Sequence, residues 1–244
     1  LDIGHYLAGP WCARLLGLMG AYVIKIERPS GDPLREAHPI ITKFDGERVS
    51  AAFLYANTGK SHVTLDLKLD KDHARLLDFI KTTDIVLENY SPGVLGRLGL
   101  GYDVLKQVNP KVILTSISNF GQTGPYRDYK ASELELYAAS GLMSISGLQG
   151  QEPIKHGLFT QAQYAAGTLS AFAALTALSL RHRTGMGSWV DVSIMETLAS
   201  ELIAAHCYYT YSGSVQTRQR RRDVNTDGRM GLIEAVDGSV IPSL

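Results

Sequence analysis

The sequence predicts an α/β fold: a doubly wound parallel sheet in a large first domain, followed by the entry to a smaller second one. Three observations predict it. The chain opens as strand, Gly-Pro turn, helix, strand, a β-α-β unit that calls for parallel strands joined by a right-handed crossover. Short β-branched runs then keep alternating with helically spaced apolar residues through the first half of the chain. The 244 residues, 45% apolar and 20% charged, suffice to bury a core without help from a metal or a disulfide.

Each element follows from local signals. Leu1-Asp2-Ile3 is a short strand remnant, and Leu7-Ala8-Gly9-Pro10 is a turn whose proline suits the first position of a helix. Leu15, Leu16, Leu18 and Met19 give that helix an apolar face, and Gly20 ends it. Tyr22-Val23-Ile24-Lys25-Ile26 reads as a buried strand, and His62-Val63-Thr64-Leu65-Asp66 as the next. An amphipathic helix spans 71–81, and strands follow at 84–88 and 111–116. Between those strands lie short helices at 93–98 and 102–108, split by Gly99 and Gly101.

After Gly124-Pro125 the pattern turns helical. One helix is expected over 133–146, a long Ala-rich core helix over 161–183, and a further helix over 195–211. Gly185-Met186-Gly187 breaks the long helix ahead of a strand at 189–192. The polar, basic stretch 212–231 reads as a linker, and 234–241 as a strand pair about Asp237-Gly238. The expected organisation is a large domain over 1–212, a linker over 213–231 and the start of a second domain over 232–244. Opening without Met in mid-strand and stopping at Ile241-Pro242-Ser243-Leu244, the chain reads as a piece of something longer.

Charge and cysteine usage narrow the function. Lys+Arg and Asp+Glu both number 24, so the basic surplus of a nucleic-acid binder is missing. The run Arg218-Gln219-Arg220-Arg221-Arg222 is an exception within a balanced chain. Two distant cysteines, Cys12 and Cys207, fit neither a disulfide framework nor a zinc site, so no metal is expected and a reducing cytoplasm fits. No apolar run reaches the roughly 18 residues of a membrane span, and no signal-peptide pattern is seen.

No strong local motif announces a chemistry: G-x-G-x-x-G, the P-loop and G-x-S-x-G are all missing. The loop His5-Tyr6-Leu7-Ala8-Gly9-Pro10 lacks the glycines that a dinucleotide pyrophosphate needs, which disfavours a nucleotide-dependent oxidoreductase. His5 and His156 fall at strand–loop junctions where a site forms, or serve as surface and packing residues. Open α/β sheets bind ligands at the carboxyl ends of their strands. Those ends carry Leu7, Ala8, Arg28, Lys68, Asn89 and Tyr90, and Arg97 and Lys130 lie in loops able to reach them. Cations spread over several loops suit a phosphate-bearing ligand; the competing reading is ordinary surface charge.

An ordered set of blocks resembles the family III CoA-transferases, which include formyl-CoA transferase, carnitine CoA-transferase, the bile-acid-inducible CoA-transferases and α-methylacyl-CoA racemase. The blocks include Leu7-Ala8-Gly9-Pro10, Lys25-Ile26-Glu27-Arg28-Pro29, Asn57-Thr58-Gly59-Lys60, Leu65-Asp66-Leu67-Lys68, Glu88-Asn89-Tyr90-Ser91-Pro92-Gly93 and Arg97-Leu98-Gly99. Further along come Asn109-Pro110, Ser118-Asn119-Phe120-Gly121-Gln122-Thr123-Gly124-Pro125-Tyr126 and Thr184-Gly185-Met186-Gly187. The resemblance implies a Rossmann-like large domain, a smaller second domain, two interlocked ring-shaped subunits in a homodimer, and CoA as substrate. It also implies that Leu7, Ala8, Arg28, Leu65, Lys68, Asn89, Tyr90, Arg97, Leu98 and Lys130 hold CoA, with Arg28 near the adenine and Arg97 and Lys130 near the phosphates.

The chemistry departs from that pattern. The family's transferases attack the thioester with an Asp at the start of the long helix, and counting back from Arg181-His182-Arg183-Thr184-Gly185 puts Gln163 there. An amide is a poor nucleophile and cannot form the same anhydride. The racemases need that Asp and a His, where this chain has Ser132. Glu133 aligns with an acidic position near the nucleophile; it serves as nucleophile or general base, or caps the helix that follows. The expected function is therefore an acyl-CoA:carboxylate CoA-transferase acting on a CoA thioester and a carboxylic acid, with neither nucleic acid nor membrane as partner. The alternative is a degenerate CoA-binding half of a tandem or oligomeric transferase.

Overall fold

A computed structural model describes residues 1–154, 160–218, 233–236 and 238–240. Its core is a parallel sheet. β1 (Ile24–Glu27) pairs with the strand Ser61–Thr64, called β4 because an antiparallel hairpin, β2 (Ile40–Thr42) and β3 (Arg48–Ser50), intervenes. β5 (Ile85–Glu88) pairs with β6 (Ile113–Ser118), and β6 with β7 (Trp189–Ser193). The opening residues Leu1–Ile3 join the two halves. Asp2 bridges both Lys25 and Leu87 in parallel, and Ile26 and Leu87 donate their N–H groups to Asp2 and Leu1. With that segment counted first, the order across the sheet is third, second, first, fourth, fifth, sixth, and it reverses between Leu1–Ile3 and β5. The doubly wound sheet expected from the sequence is present, and its switch point lies at the end of the first strand.

Helices cover both faces because the strands alternate. Val86 and Leu114 point into one apolar cluster, with Leu76 and Ile80 of α3 (Asp70–Ile80) and Leu105 of α5 (Tyr102–Val108). Leu87 and Ile117 point into the other. There they meet α1 (Ala8–Leu18), α8 (Gln161–Thr184) and α9 (Ile194–Ser200). α8 buries Ala162, Ala166, Gly167, Ser170, Ala171, Ala174 and Ala177, a stripe of small residues that lets backbones approach closely. Gly167 is required: a Cβ there would sit 2.6 Å from the Ala8 carbonyl oxygen and 2.9 Å from the Trp11 ring.

Most expected elements form within a residue or two of their expected ends; four points differ. The helix expected over 133–146 splits into α6 (Glu133–Ser140) and α7 (Leu142–Ile145), because Gly141 adopts φ 88° and caps the first. The helix expected over 195–211 splits into α9 and α10 (Ile203–Ser212) at a tight turn, where Leu202 donates to the Ala199 carbonyl. Pro10 lies at the third position of α1, which starts at Ala8. Between β1 and β4 the chain also forms a 3-10 turn (Pro33–Glu36), the β2–β3 hairpin and α2 (Ala51–Asn57). α4 (Val94–Arg97) lies between β5 and α5. Near the end, β8 (Ile233–Ala235) and β9 (Gly238–Val240) pair antiparallel, as the strand pair about residues 237–238 predicts. Among the described residues no helix is long and apolar enough to cross a membrane. His156 and Arg220, Arg221 and Arg222 lie outside the described residues.

Candidate active site

The switch point is held open by two sets of bonds. Beneath the first loop, Lys25 is fully buried, donates to the Gly4 carbonyl at 2.8 Å, and pairs with Asp32 at 3.0 Å and Asp2 at 3.6 Å. Lys60, also buried, pairs with Asp2 at 2.8 Å and donates to the Pro10 carbonyl at 2.7 Å. Burial alone would raise the Asp2 pKa, but these two ammonium groups more than reverse that and hold it below the usual carboxylate range. Tyr6 sits in the left-handed region at φ 64°, a strained conformation that Asp32 stabilises by accepting its N–H at 2.9 Å.

Across the reversal, Asn89 ties the two strand ends together. Its Oδ1 accepts the His5 N–H at 2.9 Å, and its Nδ2 donates to the His5 carbonyl at 2.8 Å. The His5 and Tyr90 rings lie 5.1 Å apart. Burial keeps the His5 imidazole below its ordinary pKa and pushes the Tyr90 phenol up to about 12, so both side chains are neutral at pH 7.

Above this floor opens a cleft of about 580 Å³. Its walls come from the carboxyl ends of the strands and include His5, Asn89, Tyr90, Arg127, Lys130 and Gln163. Gln163 enters from the first turn of α8, where its N–H donates to the Thr160 carbonyl. Next to it, Glu133 Oε1 accepts the Ala162 N–H at 2.6 Å, so this carboxylate reaches across from α6 to cap α8. A small recess of about 80 Å³ adjoins the cleft behind Tyr90 and is lined by Arg28 among others.

The other expected CoA residues sit differently. Leu7, Ala8 and Leu65 are buried in the apolar clusters, and Leu98 packs against one of them. Lys68 is exposed beyond the end of β4 and Arg97 is exposed on α4; neither lines the cleft. The residue missed by the sequence reading is Arg127, which lines the cleft from the same loop as Lys130. Its signal was available: it stands three residues before Lys130 in a loop already assigned to the site.

The whole chain, residues 1–243, matches the model of CoA-transferase family III. The chain belongs to this family. Among its relatives, the succinate–glutarate CoA-transferase of Agrobacterium fabrum is 36% identical over 216 residues, covering 87% of this chain and 54% of the relative. The succinyl-CoA:mesaconate CoA-transferase of Haloarcula hispanica is 35% identical over 250 residues, covering 99% and 61%. A crystal structure of a CaiB/BaiF family protein from Brucella suis superposes with a TM-score of 0.88 at 32% identity, covering 97% of this chain and 62% of that one. This family III chain therefore spans between half and two-thirds of the length of the relatives it matches.

Proposed function

We propose that this domain holds a CoA thioester in the cleft at the switch point, and that the protein it belongs to transfers CoA between carboxylic acids. The observation that carries the reading is the meeting, in one cleft at the carboxyl edge of the sheet, of Asn89, Tyr90, Lys130 and Gln163. These residues come from three separate parts of the sequence, and family resemblance assigns each of them to CoA or to the reacting centre. Lys130 supplies positive charge for phosphates, Asn89 and the His5 backbone fix the floor, and Arg28 lines the recess behind Tyr90, where an adenine would go.

In the family reaction a carboxylate oxygen at the Gln163 position attacks the thioester carbonyl and expels the CoA thiolate, leaving a mixed anhydride. The thiolate then attacks the enzyme's side of the anhydride, releasing the acid and leaving an enzyme-bound thioester. Gln163 has no carboxylate, and Glu133 is engaged at the end of α8. This pair favours a second reading of the segment, as a CoA-holding half whose nucleophile comes from another domain or subunit. α10 supports an oligomer: it buries none of its residues and exposes Ile203, Tyr208, Tyr209 and Tyr211. The interlocked homodimer of the family would cover it.

The test uses the full-length protein. CoA binding is measured by calorimetry, and the protein is then exposed to succinyl-CoA, because the similar relatives are named for short dicarboxylic acids. Mass spectrometry reads any covalent adduct. Binding with no adduct between residues 1 and 244, and a new adduct at residue 163 in Gln163→Asp, is the expected result. The absence of CoA binding overturns the reading.

A further inference from the structure

Arg127 has no role in the family resemblance, yet it faces the cleft. Its neighbour across the loop is Arg97. A Cβ built on Gly93 would lie 3.3 Å from Nη1 of Arg97 and 3.4 Å from Nη2 of Arg127. The two guanidinium groups therefore converge on one spot, with those nitrogens at most about 7 Å apart.

Among the described residues little offsets this convergence. Arg97 makes no ion pair or side-chain hydrogen bond among the described residues. Among the described residues Arg127 has a carboxylate partner only in its sequence neighbour Asp128, at 3.7 Å, where the Arg127 side chain is 43% exposed and Asp128 largely so. An exposed pair of that length contributes little and leaves the guanidinium available. Two like charges meeting without a shared carboxylate fit a group that carries more than one negative charge and presents several acceptor oxygens, which is a phosphate.

The position selects which part of a ligand reaches them. Gln163 is on the cleft wall, Arg127 is on it, and Arg97 lies outside it, so the arginine pair straddles the rim. A CoA thioester placed with its acyl end at Gln163 would leave its phosphates at such a rim.

We propose that Arg127 supplies a second guanidinium to the CoA phosphate that the family resemblance already gives to Arg97, so that the two arginines clamp one phosphate group. This rests on the reading of the cleft as a CoA site. The test titrates CoA and 3′-dephospho-CoA into the full-length protein and its R127A, R127K, R97A and R97A/R127A variants at several salt concentrations. R127A is expected to weaken CoA binding about tenfold and to flatten its salt dependence, with R127K recovering part of the loss. The double variant is expected to fall short of, or exceed, the product of the single effects, because both arginines act on one phosphate. An R127A loss confined to CoA assigns the clamp to the 3′-phosphate; an equal loss with dephospho-CoA assigns it to the pyrophosphate. Wild-type affinity and salt slope in R127A, or strictly multiplicative single effects, overturn the clamp while leaving the CoA site standing. Failure of the unaltered protein to bind CoA removes the CoA reading and the clamp together.

Discussion

Two strand ends frame the crevice, and they start from similar material. β1 runs Ile24-Lys25-Ile26-Glu27 and β5 runs Ile85-Val86-Leu87-Glu88; both go from half-buried to buried and both finish on a carboxylate. Burial pushes each carboxyl up. At Glu27 that push is overcome: Arg35 donates twice at 2.8 Å, His62 Nδ1 lies at 2.7 Å, and the Asp32 N–H adds a bond at 3.1 Å. The result is a pKa of about 2. At Glu88 only the Ser116 hydroxyl and the Tyr90 N–H, at 2.8 Å, oppose burial, and Asp191 adds to it, so the pKa rises to about 7. Ser116 is itself oriented by the Trp189 indole, which donates to it at 2.9 Å. The comparison teaches that burial decides a carboxylate's charge only where no cation opposes it: it prevails at Glu88, and at Glu27 the Arg35 guanidinium and the other donors reverse it. Further buried cations lie beneath the loop in the Asp2–Lys25–Asp32–Lys60 lattice.

The strongest way to break the β1 side is to remove its central cation. Lys25→Met leaves Asp32 buried without its ammonium partner and takes away the bond to the Gly4 carbonyl. The expected loss is about 3–5 kcal/mol of unfolding free energy, read by urea denaturation. A loss below about 1 kcal/mol would show that the lattice is not what holds the first loop.

The two glutamates should respond to pH with opposite signs. The folded pKa of Glu27 lies below its ordinary value of 4.5, so its stabilisation is full above pH 4.5 and is lost as pH falls towards 2. Glu27→Gln should therefore cost about 1–2 kcal/mol at pH 7, discounted because Arg35 is 47% exposed, and progressively less in acid. The folded pKa of Glu88 lies above its ordinary 4.5, so its contribution is present below pH 4.5 and disappears as pH rises through about 7. Glu88→Gln, whose amide can still accept the Tyr90 N–H, should be neutral near pH 4.5 and stabilising by about 1–2 kcal/mol above pH 7. Thermal melts of both variants from pH 3 to 8 check the pair; parallel slopes would break the comparison.

The sheet was legible in the sequence because its strands are short β-branched runs and its helices carry apolar periodicity. The breaks were less so. Apolar residues continue across residues 141 and 202, so only the φ of Gly141 and a tight turn reveal that two helices are four. The segment between β1 and β4 carries readable signals that act only over a few residues. Asp32 accepts the Leu34 N–H ahead of Pro33, Asp45-Gly46 turns the hairpin, and Ser50 Oγ accepts the Phe53 N–H at the start of α2. For the candidate site, position at a strand end picked out Asn89 and Tyr90, and position in a loop able to reach it picked out Lys130; all three line the cleft. It could not separate Leu7 or Leu65, which are buried in the core, from residues that line the cleft. It also passed over Arg127, because convergence with Arg97 depends on how two loops meet in space.

The smallest expected effect concerns a third carboxylate, Glu133, which accepts a hydrogen bond from the end of a helix. Thr160, at the N-cap of α8, makes no side-chain capping bond, and Glu133 Oε1 supplies one by accepting the Ala162 N–H. α6 does not need Glu133 for this, since Ser132 and Glu135 already form its capping box. Glu133→Gln keeps an acceptor oxygen and removes the charge that favours the positive end of the α8 dipole. The expected cost is about 0.5–1 kcal/mol, a fall in Tm of about 1–3 °C. Succinyl-CoA-dependent turnover by the full-length protein, measured beside the melt, separates the roles. A lowered Tm with turnover intact assigns the carboxylate to the helix; turnover lost by a factor of a hundred or so with Tm unmoved is the scale expected of general acid–base catalysis and would move Glu133 into the chemistry.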